Sequence, residues 1–148
     1  MLHLTLVFLG ATDPGRVAAV STALDVVADR HGPVSVRSGA AGGRADDRRG
    51  GVAWLGLASG REALARLSLE LDRAIGSGVY ATLAPRPHLT VARRVDQALL
   101  DDLRLTAVRV RLEWLIDAVV LFRSHTGPQG SRYEELDRRA LTPASTGA

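Results

Sequence analysis

The sequence predicts an α+β fold built on antiparallel sheet. Three segments have the apolar spacing of helices and about seven have strand-like patterns, without the strict alternation that accompanies a parallel sheet. The chain has 148 residues, 46% of them hydrophobic and 24% charged, which is enough for the core of one globular domain. We predict a single domain over residues 1–142 and a disordered polar tail over residues 143–148.

The first elements are predicted to be a strand and a helix. Residues 2–9 form a short apolar run closed by Gly10, which is typical of a buried strand. Asp13 then provides an N-cap and Pro14 stands at the first helical position. We expect this helix to stop at the His-Gly-Pro sequence of residues 31–33.

The middle of the chain predicts a second helix, preceded by two strands and a loop. Ser59 and Glu62 have the spacing of a capping box, and the apolar positions that follow keep helical spacing until Gly76. The two strands are predicted at residues 34–36 and 52–58, with a glycine-rich, charged loop at 38–51 between them.

The second half of the chain predicts one more helix among several strands. Asp96 is placed to cap this helix, in which leucines recur at helical spacing. The strands are predicted at residues 79–83, 88–92, 108–112, 115–123 and 132–137.

Composition excludes several kinds of chemistry. All 19 basic residues are arginines, against 16 acidic residues, and the chain contains neither lysine nor cysteine. Disulfides, thiolate nucleophiles and cysteine zinc sites are therefore impossible, as are Schiff bases and lysine–nucleotide intermediates. The net charge of +3 permits phosphate or nucleic-acid partners without requiring them. Without a membrane-length apolar run or a signal-peptide pattern, we expect a cytoplasmic protein that does not contact membranes.

The tripeptide His-Leu-Thr occurs twice, at His3 and at His88, each time on a predicted strand that precedes an Asp-capped helix. Because residues i and i+2 of a strand share a face, His3 neighbours Thr5 and His88 neighbours Thr90. If the two pairs meet, one imidazole can take a proton from water while the other protonates a leaving alkoxide, and the hydroxyls can hold phosphate oxygens. The alternative is two separate half-buried histidines bonded to backbone carbonyls.

Three segments carry a resemblance to a known family. HLTLVFLG (3–10), RPHLTVAR (86–93) and VLFRSHTGPQGSRYEEL (120–136) resemble the two-histidine phosphoesterases, specifically the bacterial RNA 2′,3′-cyclic phosphodiesterases, or 2′–5′ RNA ligase-like proteins. The resemblance implies two lobes of duplicated antiparallel sheets with outer helices and a central cleft. It also implies hydrolysis of an RNA 2′,3′-cyclic phosphate to the 2′-phosphate, with no cofactor and no metal.

The resemblance also implies roles for individual residues. His3 and His88 would be the catalytic acid–base pair, with His88 preferred as the base and His3 as the acid. Thr5 and Thr90 would bind the substrate phosphate. The expected partners are RNA ends or cyclic nucleotides, and the protein is expected to be a monomer.

Two further residues are candidates, with an alternative open for each. Arg93 would neutralise phosphate, but its strand parity is opposite to that of His88, so a twist or bulge is needed; otherwise it is a surface arginine. Tyr133 would stack a base, or else it packs on a terminal strand.

Trp54 and Trp114 are interpreted as core residues. His31 and His125, outside the motif, are interpreted as non-catalytic.

Family members usually carry a strand and a helix before the first motif, and we expect this chain to lack them, since His3 follows Met1 by two positions. We therefore expect the segment around His3 to fray, so that the position of His3 in the site is less well fixed than that of His88. The alternative functions are a non-catalytic nucleotide- or RNA-binding domain that lost turnover through this shortening, and an inert product of a misassigned start. Without lysine, any ligation could only be reversed phosphodiester chemistry, so hydrolysis is favoured.

Overall fold

The structure is a computed structural model that describes residues 2–46, 50–77, 86–127 and 130–142. The described residues contain three helices, α1 Pro14–Ala28, α2 Arg61–Ile75 and α3 Gln97–Arg109. They also contain six strands, β1 Val34–Arg44, β2 Val52–Ser59, β3 Leu89–Arg93, β4 Glu113–Ile116, β5 Ala118–Gly127 and β6 Gly130–Ala140. The strands form a four-stranded sheet, ordered β3-β2-β1-β4, and a β5-β6 hairpin, and every pairing is antiparallel. The predicted α+β class is confirmed.

The N-caps of α1 and α3 are those that the sequence predicts. An oxygen of Asp13 accepts a hydrogen bond from the backbone N–H of Gly15 at 2.7 Å, and Asp96 accepts from Leu99 N–H at 2.8 Å. The capping box predicted for α2 is wrong, because the N-cap is Gly60, with φ of 78° and no side-chain cap. A Cβ at Gly60 would lie 2.6 Å from Cγ1 of Val36, so both conformation and space require glycine there.

The loop predicted at residues 38–51 is wrong over its first half, because β1 continues to Arg44 and pairs with β2. The glycines of this segment serve close packing. A Cβ at Gly42 would lie 2.7 Å from Nε1 of Trp54, and one at Gly43 would lie 2.6 Å from the carbonyl oxygen of Val52. Glycine here permits close approach within a sheet.

Three other boundaries differ from the prediction. The strand predicted at residues 2–9 is not formed. This segment meets β3 at one residue pair, the antiparallel bridge of Leu4 with Leu89, and a single bridge does not make a strand. The strand predicted at 108–112 is wrong, since α3 runs to Arg109 and the next strand begins at 113. The strand predicted at 115–123 is divided between β4 and β5. The strand predicted at 79–83 and the tail at 143–148 lie outside the described residues.

The main core lies where α1 and α2 pack together against strands of both sheets. Its buried members include Leu24, Leu64 and Leu67, and partly buried residues from the N-terminal segment, among them Leu4, pack against it. This packing holds the first His-Leu-Thr motif against the sheet although the motif forms no regular strand. A second, smaller cluster of Ala53, Val95 and Leu100 lies under α3. Among the described residues, no helix combines the length and apolarity that a bilayer crossing requires.

Candidate functional site

The two His-Leu-Thr motifs lie side by side. Leu4, at the centre of the first, pairs antiparallel with Leu89, at the centre of the second. Leu4 packs against the main core and Leu89 is buried, so their face of the pairing is the inner one. Alternate residues point to the other face. That outer face, called the His-Thr face below, carries the four polar residues His3, Thr5, His88 and Thr90.

The antiparallel sense of this pairing determines which polar residues are neighbours. His3 lies beside Thr90, and Thr5 lies beside His88, because residues on either side of a directly opposed pair are themselves opposed. The two histidines are then diagonal neighbours, a relation in which residues lie roughly 7–8 Å apart and their Cβ atoms somewhat closer. The arrangement places two imidazoles and two hydroxyls on one surface.

A β-bulge brings Arg93 onto the same face. Val91 has no partner in β2, so Trp54 pairs with Thr90 whereas Val52 pairs with Arg93. Trp54 and Val52 are two residues apart and share a face, so Thr90 and Arg93 also share one although they are three residues apart. The bulge that the parity argument requires for Arg93 is therefore present.

The contacts of His88 determine which ring nitrogen is available. Its Nδ1 lies 2.9 Å from the backbone carbonyl oxygen of Arg86, which can only accept a hydrogen bond. Nδ1 therefore carries the hydrogen, and Nε2 of the neutral ring has a free lone pair. The ring is exposed and lies 5.8 Å, centroid to centroid, from the ring of Trp54. His88 thus presents a proton acceptor at the surface.

His3 is held differently. Its Nδ1 is buried and has no hydrogen-bond partner among the described residues, so Nε2 is the ring nitrogen that a ligand can reach. The edge of the ring packs against Tyr133 at a centroid distance of 4.8 Å, and Phe122 lies 6.1 Å away. Tyr133 and Phe122 belong to the β5-β6 hairpin, so His3 stands between the two sheets.

Positive charge flanks the His-Thr face. Arg44 pairs with Val52 from one side and Arg93 pairs with it from the other, so both arginines share the face of Trp54. Both are exposed, and neither forms an ion pair with another residue in the described ranges. Guanidinium groups of this kind suit a phosphate, which they bind with charge-assisted hydrogen bonds.

The other two histidines have carboxylate partners on other parts of the molecule. His31 Nε2 lies 3.0 Å from Glu70 Oε2. His125 Nε2 lies 2.8 Å from Glu134 Oε2, and this hydrogen bond is the main cause that lowers the pKa of the Glu134 carboxyl. In the part of the chain that the structure describes, no three His, Asp or Glu side chains cluster as a metal site would require.

The structure thus brings together the six residues that the sequence singles out: His3, Thr5, His88 and Thr90 on one face, Arg93 beside them and Tyr133 against His3. Sequence reasoning missed Trp54, which belongs to neither core cluster and lies against His88. Residues 52–58 are apolar or glycine throughout, so no signal in the sequence separates the two faces of β2; in the structure Ala53 and Leu55 are buried and Trp54 occupies the other face. It also missed Arg44 and Phe122.

Comparison with known proteins gives a family and a set of structural neighbours. The family model described as the 2′-5′ RNA ligase superfamily matches residues 1–128. TT0787 of Thermus thermophilus is 24% identical with a TM-score of 0.72, over 96% of this chain and 79% of that one. LigT of E. coli complexed with 3′-AMP is 27% identical with a TM-score of 0.69, over 95% and 77%. A structure described as a phosphoesterase is 24% identical with a TM-score of 0.66, over 95% and 77%.

No curated protein sequence matches the chain significantly. The family match nevertheless spans most of the chain and includes both His-Leu-Thr motifs, and the structural neighbours have a similar fold over 95–96% of the chain. The chain therefore belongs to the 2′-5′ RNA ligase superfamily of two-histidine phosphoesterases.

Proposed function

We propose that the chain hydrolyses a 2′,3′-cyclic phosphate, at the end of an RNA or on a nucleotide, to the 2′-phosphate without a metal ion. The observation that carries this proposal is the pairing of Leu4 with Leu89, which sets both His-Leu-Thr motifs on one face. The 27% identity to LigT complexed with 3′-AMP also supports a nucleotide ligand.

In the proposed reaction, water attacks the phosphorus while its proton passes to Nε2 of His88. The hydrogen bond from Nδ1 to the Arg86 carbonyl prepares His88 for this role, because it leaves Nε2 as the acceptor. The bond from phosphorus to the ribose O3′ then breaks, and O3′ takes a proton from Nε2 of His3. The product carries a 2′-phosphate and a 3′-hydroxyl.

The other residues of the His-Thr face act on the phosphate itself. The hydroxyls of Thr5 and Thr90 donate hydrogen bonds to the non-bridging oxygens, where negative charge grows in the transition state. The guanidinium of Arg93, three residues after Thr90 on the same face of β3, offsets the same negative charge. Tyr133 packs against the ring of His3 and thereby holds the proposed acid in place beside the phosphate.

The test is hydrolysis of adenosine 2′,3′-cyclic phosphate in EDTA, followed by separation of the 2′ and 3′ monophosphates. We expect adenosine 2′-monophosphate, and a loss of about 10²–10⁴-fold in kcat for His3→Ala and for His88→Ala, since general acid–base catalysis contributes that much. His125→Gln, a histidine on the hairpin outside the site, is the matched control and should retain full activity.

Loss of wild-type activity in EDTA would refute the metal-free mechanism. Nucleotide binding without turnover by the unmutated chain would favour the alternative, a non-catalytic nucleotide- or RNA-binding domain. Activity that survives in His88→Ala would show that the paired motifs are not the reactive centre.

A further inference from the structure

An aromatic ring beside His88 has no role in the reaction proposed above. Trp54 pairs with Thr90 in the sheet, and its ring centroid lies 5.8 Å from that of His88 with the two planes at 58°. The residues before and after it, Ala53 and Leu55, are buried, whereas Trp54 is only partly buried. The indole therefore lies on the His-Thr face and not in the core.

The sheet is shaped to hold this ring close to its surface. Trp54 pairs with Gly42 on its other side, and a Cβ at Gly42 would come within 2.7 Å of Nε1, 2.8 Å of Cε2 and 3.1 Å of Cζ2. The absence of a side chain at Gly42 lets the indole lie across β1. Any larger residue would push the ring away from the sheet. One surface of the ring is thus supported by the backbone, and the side chain is only partly buried.

We propose that the indole of Trp54 is a stacking platform for a nucleobase on the His88 side of the His-Thr face. The inference rests on the proposed function, in that the phosphate of the same nucleotide is held by the two His-Thr pairs. A partly exposed aromatic ring next to the proposed phosphate site, with Arg44 and Arg93 on the same face, matches how proteins bind single-stranded nucleic acid, by base stacking with charge along the backbone. The platform selects ligands that carry a planar base over ligands that carry phosphate alone.

The test uses tryptophan fluorescence, because the chain has two tryptophans and the second is a matched control. Trp114 lies on β4 opposite Val36 and packs against the main core, away from the His-Thr face. Adenosine 2′-monophosphate, the expected product, should quench the emission of wild type and of Trp114→Phe. It should not change the emission of Trp54→Phe, and inorganic phosphate should quench none of the three.

Affinity gives an independent readout. Stacking of one base on an aromatic side chain is worth about 1–3 kcal/mol, so Trp54→Ala should weaken binding of adenosine 2′-monophosphate by about 5- to 150-fold. Binding of inorganic phosphate, measured by calorimetry, should be unchanged, and Trp54→Phe should restore most of the nucleotide affinity. A purely structural role for Trp54 would weaken phosphate and nucleotide alike, and this result would overturn the proposal.

The two proposals can fail separately. If wild type binds the nucleotide with Trp54-dependent quenching but does not hydrolyse the cyclic phosphate, the platform stands and the hydrolytic function falls. If wild type hydrolyses the cyclic phosphate while Trp54→Ala binds adenosine 2′-monophosphate as tightly as wild type, the platform is refuted and the function stands.

Discussion

Arg93 gives the sharpest test of how the sheet builds the site, because only the unpaired Val91 turns it towards the His-Thr face. We expect Arg93→Gln to lower kcat/KM for a 2′,3′-cyclic nucleotide by about 30-fold. Two charges 4 Å apart interact with about 1 kcal/mol in water and about 4 kcal/mol at an effective dielectric constant of 20. Arg93 is exposed, so about 2 kcal/mol is appropriate, and each 1.4 kcal/mol corresponds to a factor of ten.

The assay is kcat/KM at two ionic strengths, with Arg66→Gln as the matched control. Arg66 is an exposed arginine on α2, outside the His-Thr face, and its replacement should have no effect. Added salt should reduce kcat/KM of wild type more than that of Arg93→Gln, because the variant has lost one screened phosphate contact. If Arg93→Gln is folded and within twofold of wild type, the bulge does not deliver a phosphate ligand and the reasoning is refuted.

Three other perturbations have definite expectations. Thr90→Val should lower kcat/KM by about 10- to 150-fold, since a hydrogen bond to a charged group is worth about 1.5–3 kcal/mol. Thr90→Ser should recover most of the loss in the same assay. Gly51→Ala would place a Cβ 2.1 Å from the carbonyl oxygen of Val95. A clash that costs about 3 kcal/mol should lower the melting temperature by about 6–12 °C or more. The control Gly127→Ala, whose Cβ would have its nearest described neighbour at 3.9 Å, should melt like wild type. Hydrogen bonds from His125 to Glu134 and from Arg138 to Glu135 hold the pKa values of these carboxyls below the ordinary 4.5, so their contribution to stability is present above pH 4.5 and is lost as pH falls through the lowered values. Urea unfolding at pH 6 and at pH 3 should show this decline, and replacing both glutamates with glutamine should reduce it.

The sequence predicted local features correctly where a residue type has one common structural role, as aspartate does at a helix N-cap. Asp13 and Asp96 are both N-caps because their carboxylates satisfy free backbone N–H groups, and this requires no knowledge of tertiary structure. The segment 38–51 was misread because glycine and charge usually indicate a loop. Here Gly42 and Gly43 belong to a strand that pairs with β2, and glycine is required because the neighbouring groups leave no room for a Cβ, which the segment itself does not reveal.

The candidate site was predictable in its residues but not in its geometry. The repeated His-Leu-Thr indicated both histidines and both threonines, since strand parity alone joins each pair. The pairing of Leu4 with Leu89 and the bulge at Val91 depend on register between distant segments, which a single sequence does not encode locally. Trp54 was assigned to the core because tryptophans usually lie there, and the apolar run 52–58 does not distinguish the two faces of its strand.

The central claim is that the two motifs form one acid–base site with His88 as base and His3 as acid. The pH dependence of kcat for a 2′,3′-cyclic nucleotide tests it most directly. We expect a bell-shaped profile in wild type, because His88 must be unprotonated and His3 protonated. The residual activity of His88→Ala should lose the acidic limb, and that of His3→Ala should lose the alkaline limb. A flat wild-type profile, or both limbs persisting in either variant, would contradict the account.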